Sequence, residues 1–108
     1  TGTGKTLAFG IPVVQRLDHL PGRALVLLPT RELALQVEET FLKIGQPFNL
    51  KTAVLIGGES IFRQAQELRR RPRILIATPG RLIDHLEENR LRLDDVNILV
   101  LDEADRML

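Results

Sequence analysis

The chain has 108 residues, no cysteine and a formal net charge of +1. This length fits one domain, and the lack of cysteine excludes a disulfide framework and a thiolate metal site. Because the net charge is close to zero, nucleic-acid binding would have to depend on local groups. No apolar run approaches the roughly 18–20 residues of a membrane span, so no membrane partner is expected.

The chain opens with Thr1-Gly2-Thr3-Gly4-Lys5-Thr6. Glycines let backbone N–H groups approach a phosphate chain, Lys5 would neutralise the β and γ oxygens, and Thr6 would ligate Mg²⁺. The alternative is a chance turn. A helix is expected after Lys5, and Pro12 should kink it or end it early. Since a phosphate loop needs a strand before it, we expect this chain to be a piece of a longer enzyme.

Four short apolar runs predict strands: Ala24–Leu28, Ala53–Ile56, Ile74–Ala77 and Ile98–Leu101. They are nearly continuous, which is typical of strands buried on both faces of a parallel sheet. Helical patterns fill the gaps, with expected N-caps at Thr30, Ser60 and Thr78, and with Pro79 at a first helical position. Their apolar stripes are Leu33, Val37, Phe41 and Ile44; Ile61, Ala65 and Leu68; and Leu82, Ile83 and Leu86. The pattern predicts an α/β fold with a parallel sheet of about four strands flanked by helices.

Polar or glycine-containing segments follow all four predicted strands. They are Pro29-Thr30-Arg31, Gly57-Gly58, Thr78-Pro79-Gly80-Arg81 and Asp102-Glu103. In open α/β sheets, ligands bind beyond the carboxyl ends of the strands. The sequence therefore predicts one active face that contains all four segments.

Asp102 and Glu103 end the last predicted strand. Asp102 can hold Mg²⁺ through water, and Glu103 can accept a proton from an attacking water. An acidic helix start, favoured by the helix dipole, would explain this pair on its own. A phosphate loop and an acidic pair in one chain favour the nucleotide site.

The loops that contain Arg31, Gly57-Gly58 and Arg81 could follow a phosphodiester backbone without reading bases. Helix capping and a tight turn explain them equally well. The chain has no Trp or Tyr, so base stacking is not expected. The basic run of Arg69–Arg71 and Arg73 fits a solvated helix end, with nucleic-acid contact as the alternative. His19 and His85 lack metal-ligand spacing and are interpreted as structural or exposed.

In order and spacing, these motifs resemble the first RecA-like domain of DEAD-box RNA helicases, whose name is spelled by Asp102-Glu103-Ala104-Asp105. The resemblance covers residues 1–108 and implies an incomplete RecA-like P-loop NTPase domain, with the second RecA-like domain absent. By resemblance, Lys5 and Thr6 serve ATP and Mg²⁺, Asp102 serves the ion and Glu103 serves the water. Asp105 would couple ATP to closure against the second domain.

The resemblance also assigns the RNA-backbone groove to Pro29–Ala34, Gly57-Gly58 and Thr78–Arg81. It implies an intracellular, ATP-dependent RNA helicase, located in the cytoplasm or else in the nucleus or nucleolus. A DNA helicase or another P-loop ATPase, and a non-catalytic RNA clamp, remain alternatives. The adenine-reading motif, the Ser-Ala-Thr motif and the arginine fingers of the family are not in these 108 residues. We expect this chain alone to be unstable or to aggregate, because Ile98–Leu101 would expose an apolar edge, and we expect it not to hydrolyse ATP measurably.

Overall fold

A computed structural model describes residues 2–107. Its four parallel strands form one sheet. Strand β1 (Arg23–Leu27) lies between β3 (Ile74–Ala77) and β4 (Val96–Leu101), and β2 (Thr52–Leu55) pairs with the other edge of β3. The sheet order is therefore β2-β3-β1-β4, which confirms the predicted α/β class.

Three of the strands begin one or two residues earlier than the apolar runs predicted. The residues that follow β1 and β2 remain buried even though they lie outside the strands. Leu28, for example, still donates its backbone N–H to the Ala77 carbonyl at 3.0 Å. These differences concern the strand ends, where assignments commonly vary by a residue or two.

Helices cover both faces of the sheet: α1 (Gly2–His19) and α2 (Arg31–Gly45) lie on one face, and α3 (Ile61–Arg69) and α4 (Pro79–Glu87) lie on the other. Side chains alternate between the faces along each strand. In β1, Val26 packs with Val37 and Phe41 of α2, whereas Leu25 packs in the other cluster. Short 3-10 turns follow α2 and β4, at Gln46–Phe48 and Ala104–Arg106.

Helix α1 differs from its prediction at its start and in its length. It begins at Gly2 instead of after Lys5, and it does not end early at Pro12 but continues to His19. Beyond the proline, Val13, Val14 and Leu17 are buried in the core. Tertiary packing of this apolar face supports the helix where the proline removes a backbone hydrogen bond.

The Arg73 side chain holds the chain at the end of α1. Its guanidinium donates to the carbonyls of Gly22 at 2.6 Å, Leu20 at 2.8 Å and Leu17 at 3.0 Å. These carbonyls lie at and just beyond the last helical turn, where backbone acceptors lack intrahelical donors. Arg73 therefore stabilises the fold, and the interpretation of the whole basic run as a solvated helix end is wrong for this residue.

Strand β4 lies at an edge of the sheet and leaves alternate apolar side chains uncovered. Leu99 is 59% exposed and Leu101 is 53% exposed. The predicted exposed apolar edge is thus confirmed, whereas the prediction that all four runs are buried on both faces is wrong for β4. Among residues 2–107, no helix is both long and apolar enough to span a membrane.

Candidate functional site

Backbone hydrogen bonds bring the carboxyl ends of the four strands to one edge of the sheet. The Asp102 N–H bonds to the Leu27 carbonyl at 3.1 Å, and the Thr78 N–H bonds to the Leu55 carbonyl at 3.1 Å. The segments that leave the strands therefore start side by side. This edge contains the four segments that the sequence placed on one active face.

Lys5 and Asp102 form an ion pair at this edge, with 2.6 Å between Nζ and Oδ1. The Lys5 side chain is 54% exposed and that of Asp102 is 9% exposed. The hydrogen bond to Asp102 raises the pKa of Lys5 above its ordinary value against the effect of desolvation, and the charges of Asp102, Glu103 and Asp105 raise it further. The two motifs at opposite ends of the chain thus meet in one acidic environment.

The residues beside this ion pair fit a magnesium site. Asp102 already accepts a cation, the Lys5 ammonium, and Thr6 next to Lys5 is buried. A carboxylate and a hydroxyl are the hard oxygen ligands that Mg²⁺ prefers. Across residues 2–107 there is no cluster of three or more His, Cys, Asp or Glu that could hold a metal. Water and phosphate oxygens would supply the remaining ligands, as is usual for Mg²⁺.

The glycine-rich start has a different local structure from the expected loop. Gly2, Thr3 and Gly4 form the first turn of α1, and Thr1 lies outside the described residues. The N–H groups at the start of a helix have no intrahelical acceptors and can bind an anion. The phosphate contacts of residues 2–6 therefore stay a prediction, with a helix N-terminus in place of the expected loop.

Glu103 lies directly after Asp102 with a left-handed backbone, φ 55°, which turns the chain into the 3-10 turn that follows β4. Its carboxylate accepts a hydrogen bond from Arg106 at 3.0 Å. Asp105, in the same turn, is exposed. The expected roles of Glu103 as a base and of Asp105 in domain coupling remain predictions.

A second cluster joins the loops that follow β1, β2 and β3. The Arg31 guanidinium donates to the Gly57 carbonyl at 3.2 Å, and the Arg81 guanidinium donates to the Glu59 carbonyl at 3.1 Å. Gly58 between them has a φ of 80°, and a Cβ there would collide with Nη1 of Arg31. Two arginines thus hold one glycine loop from two neighbouring strand ends.

Two of the three expected N-caps are confirmed. The Thr30 hydroxyl accepts from the Leu33 N–H at 3.2 Å, and the Ser60 hydroxyl accepts from the Arg63 N–H at 3.2 Å. Thr78 occupies the cap position of α4 but makes no side-chain capping bond. Pro79 follows it within the first turn, as predicted, and its fixed φ is suited to starting a helix.

The third predicted stripe is partly wrong, because Ile83 of α4 is exposed and His85 is fully buried.

Arg90 Nε donates to His85 Nδ1 at 3.0 Å, so the ring proton lies on Nε2, which is 2.8 Å from Gln64 Oε1. Burial lowers the pKa of His85 to about 4, with further lowering by the charges of Arg90 and Arg81. His85 is therefore neutral near pH 7, in agreement with its interpretation as structural. His19 is exposed.

Gln64 is a site residue that the sequence analysis missed. It is buried, its Nε2 donates to the Ile56 carbonyl at 2.8 Å, and its Oε1 accepts from Arg81 at 3.1 Å. A signal was present in the sequence, because Gln64 falls on the apolar stripe of α3, three residues after Ile61 and four before Leu68. A polar residue on a buried stripe requires partners.

Comparisons with known proteins agree with this geometry. A family model described as DEAD/DEAH box helicase matches residues 1–108. The DEAD-box ATP-dependent RNA helicase CshA of Bacillus subtilis (strain 168) is 50% identical over 110 residues, which is 100% of this chain and 22% of that protein. The ATP-dependent rRNA helicase RRP3 of Vanderwaltozyma polyspora is 50% identical over 111 residues, with coverage of 100% and 22%.

The fold has solved counterparts. The crystal structure of the yeast DEAD-box splicing factor Prp28 matches with a TM-score of 0.90 and 40% identity, covering 99% of this chain and 27% of that chain. The chain spans about a fifth of the length of the two curated relatives, at 22% of each.

Proposed function

The chain belongs to the DEAD/DEAH box helicase family, and from this we propose that the full-length protein is an ATP-dependent RNA helicase. The observation that supports this most is the 2.6 Å contact between Lys5 and Asp102. It joins a phosphate-binding motif to an acidic motif at the carboxyl edge of a parallel sheet, where nucleotides bind in such folds.

The nucleotide would bind at the start of α1. Lys5 would exchange its contact with Asp102 for the phosphate oxygens, and the backbone N–H groups of the first helical turn would donate to them. Thr6 and Asp102 would hold Mg²⁺, which supplies charge neutralisation of the phosphates when bound. Glu103 would orient the attacking water and accept its proton.

RNA would bind along the neighbouring loops. The cationic side chains of Arg31 and Arg81, with the backbone of Gly57-Gly58, suit contacts to phosphate and sugar, which carry no base information. Pro29, Thr30, Thr78, Pro79 and Gly80 complete the proposed surface. Closure against a second RecA-like domain, in which Asp105 takes part, would couple the two ligands because each favours the closed state.

The substitution Glu103→Gln in the full-length protein tests this proposal. It keeps the size of the side chain and removes the base, so RNA-stimulated ATP hydrolysis should fall by about 10²–10⁴-fold while ATP and RNA still bind. The matched control is Glu87→Gln, because Glu87 is exposed on α4 and should leave hydrolysis unchanged.

The same assay separates the alternatives. Equal stimulation by DNA and RNA would indicate a DNA helicase or another ATPase. No hydrolysis by the unmodified protein with any nucleic acid would indicate a non-catalytic clamp. Either result would contradict the proposal.

A further inference from the structure

Three groups from three different segments hold the Arg81 side chain. Its Nη1 donates to the Glu59 carbonyl at 3.1 Å and to Gln64 Oε1 at 3.1 Å, and its Nε lies 3.4 Å from Asp84 Oδ2. The side chain is only 15% exposed. These contacts use Nη1 and Nε, whereas a guanidinium carries five N–H donors, so it has donor capacity beyond these contacts.

Gln64 can serve as an acceptor for Arg81 because its amide orientation is determined by its other contacts. Its Nε2 donates to the Ile56 carbonyl at 2.8 Å. Its Oε1 also faces His85 Nε2 at 2.8 Å, and this nitrogen carries the ring proton since Arg90 donates to the other one. A flipped amide would place its NH₂ group against two donors and its oxygen against a carbonyl, leaving buried groups unpaired.

The same residues connect Arg81 to the glycine loop. Ile56, whose carbonyl Gln64 binds, directly precedes Gly57, and Arg81 itself binds the Glu59 carbonyl on the other side of Gly58. The Gln64 amide and the Arg81 guanidinium therefore fasten both ends of this loop to α3 and α4. Arg81 and the glycine loop, which both belong to the proposed RNA surface, are thus held by the same buried side chain, that of Gln64.

We propose that Gln64 and His85 are positioning residues that hold Arg81 and the Gly57–Glu59 loop in the arrangement that binds the RNA backbone. Both residues are buried, so the inference assigns them no direct contact with RNA. This inference rests on the proposed function, since it concerns the RNA surface of the same site. Its physical basis is preorganisation: a guanidinium already held in place loses less conformational freedom when it binds phosphate.

Gln64→Met in the full-length protein tests the inference. It keeps the length of the side chain and removes the acceptor, so the RNA concentration for half-maximal ATP hydrolysis should rise about tenfold, the effect of losing one hydrogen bond to a charged group. ATP binding without RNA should stay unchanged. The matched control is Gln66→Met, because Gln66 is exposed on the same helix and should change neither quantity.

A double-mutant cycle with Arg81→Met distinguishes positioning from general destabilisation. If Gln64 acts largely through Arg81, the loss of RNA binding in the double variant should be clearly smaller than the sum of the two single losses. The inference would be overturned if the two single losses of RNA binding simply added in the double variant. It would also be overturned if Gln64→Met left the RNA concentration for half-maximal ATP hydrolysis unchanged. If Arg81→Met itself has no effect on RNA binding, the proposed RNA surface is wrong. This result distinguishes failure of the proposed function from failure of the inference alone.

Gln64→Glu keeps the test decisive if Gln64→Met does not fold. A glutamate retains the acceptors for Arg81 and His85, but it loses the donor to the Ile56 carbonyl and places a carboxylate oxygen against that carbonyl. Because this releases one end of the glycine loop, the RNA concentration for half-maximal ATP hydrolysis should rise about three- to tenfold, the effect of losing one neutral hydrogen bond. An unchanged RNA concentration in this folded variant would overturn the inference.

Discussion

Lys5 and Asp102 come from opposite ends of the chain and form one ion pair, with 2.6 Å between Nζ and Oδ1. The carboxylate is almost buried, and an unpaired charge in that position would be costly. The lysine that we propose to bind phosphate therefore neutralises the carboxylate that we assign to Mg²⁺. Binding of Mg²⁺ and ATP would replace this ion pair with two others, one between Asp102 and Mg²⁺ and one between Lys5 and the phosphate oxygens.

Lys5→Gln in the full-length protein should reduce RNA-stimulated ATP hydrolysis by about 10²–10³-fold, as the loss of a preorganised charge usually does. Thermal stability should also fall, because Lys5→Gln leaves the nearly buried Asp102 carboxylate without its cation. A coupled-enzyme ATPase assay measures the effect, with exposed Lys43→Gln as the control. Hydrolysis within threefold of the parent value would contradict the assignment.

The uncovered side of β4 should make the 108-residue chain aggregate when it is produced alone. Light scattering should show this, and Leu99→Lys with Leu101→Lys should reduce it because charge discourages edge-to-edge pairing. Ile83→Lys is the control, since Ile83 is 51% exposed but lies on α4. Equal improvement by the control would show that the edge strand is not responsible.

Gly58→Ala should destabilise the glycine loop and weaken RNA binding. Its φ of 80° costs an alanine about 1–2 kcal/mol, and the new Cβ would displace Arg31. Gly57→Ala is a matched control, because a Cβ at Gly57 meets no atom within 4 Å. Thermal unfolding of both full-length variants should show a loss of stability only for Gly58→Ala, and RNA titration should show weaker binding by that variant. Similar behaviour of the two would argue against a constrained loop.

Arg73→Met should destabilise the end of α1. It removes a cation from three carbonyl acceptors, at an expected cost of about 2–3 kcal/mol. Hydrogen exchange should accelerate at the backbone amides of residues 16–20, where α1 ends. Arg70→Met, at an exposed position three residues earlier, should leave exchange unchanged. If Arg73→Met weakened RNA binding without faster exchange, the nucleic-acid interpretation of the basic run would be favoured instead.

His85 should make the domain less stable in acid. Its pKa is about 4 in the folded chain and 6.5 ordinarily. Below pH 6.5, the His85 side chain of the unfolded chain therefore binds a proton that the folded chain does not bind. The stabilising contribution is complete above pH 6.5 and is lost progressively down to pH 4, on the order of 3 kcal/mol. Urea unfolding of the full-length protein between pH 7 and pH 4 measures this.

The variant His85→Gln isolates that contribution from other titrating groups. A glutamine can still donate to Gln64 and has no charge to gain, so its unfolding free energy should fall less steeply with acid. His19→Gln should keep the steep dependence of the parent protein, because His19 is exposed. Identical slopes for the parent and His85→Gln would contradict the prediction.

Much of the fold and of the site was predictable because those features depend on local pattern. The apolar runs located all four strands, and Thr30 and Ser60 marked the starts of α2 and α3. The segments after the strands indicated the site, since parallel strands bring their carboxyl ends to one edge. Pro12 does not end α1 early, because its local cost is smaller than the stabilisation from packing of the helix around it.

The sequence by itself determined the class of fold, because apolar periodicity encodes it, and it contained the motifs at the strand ends whose resemblance to a known family implied the function. Tertiary structure alone decided the strand order that leaves β4 at an edge, the placement of Arg73 against α1, and the burial of Gln64 and His85 beside Arg81. These outcomes depend on contacts between residues far apart in the chain. Such contacts form only when whole helices and strands pack, and no local pattern specifies them.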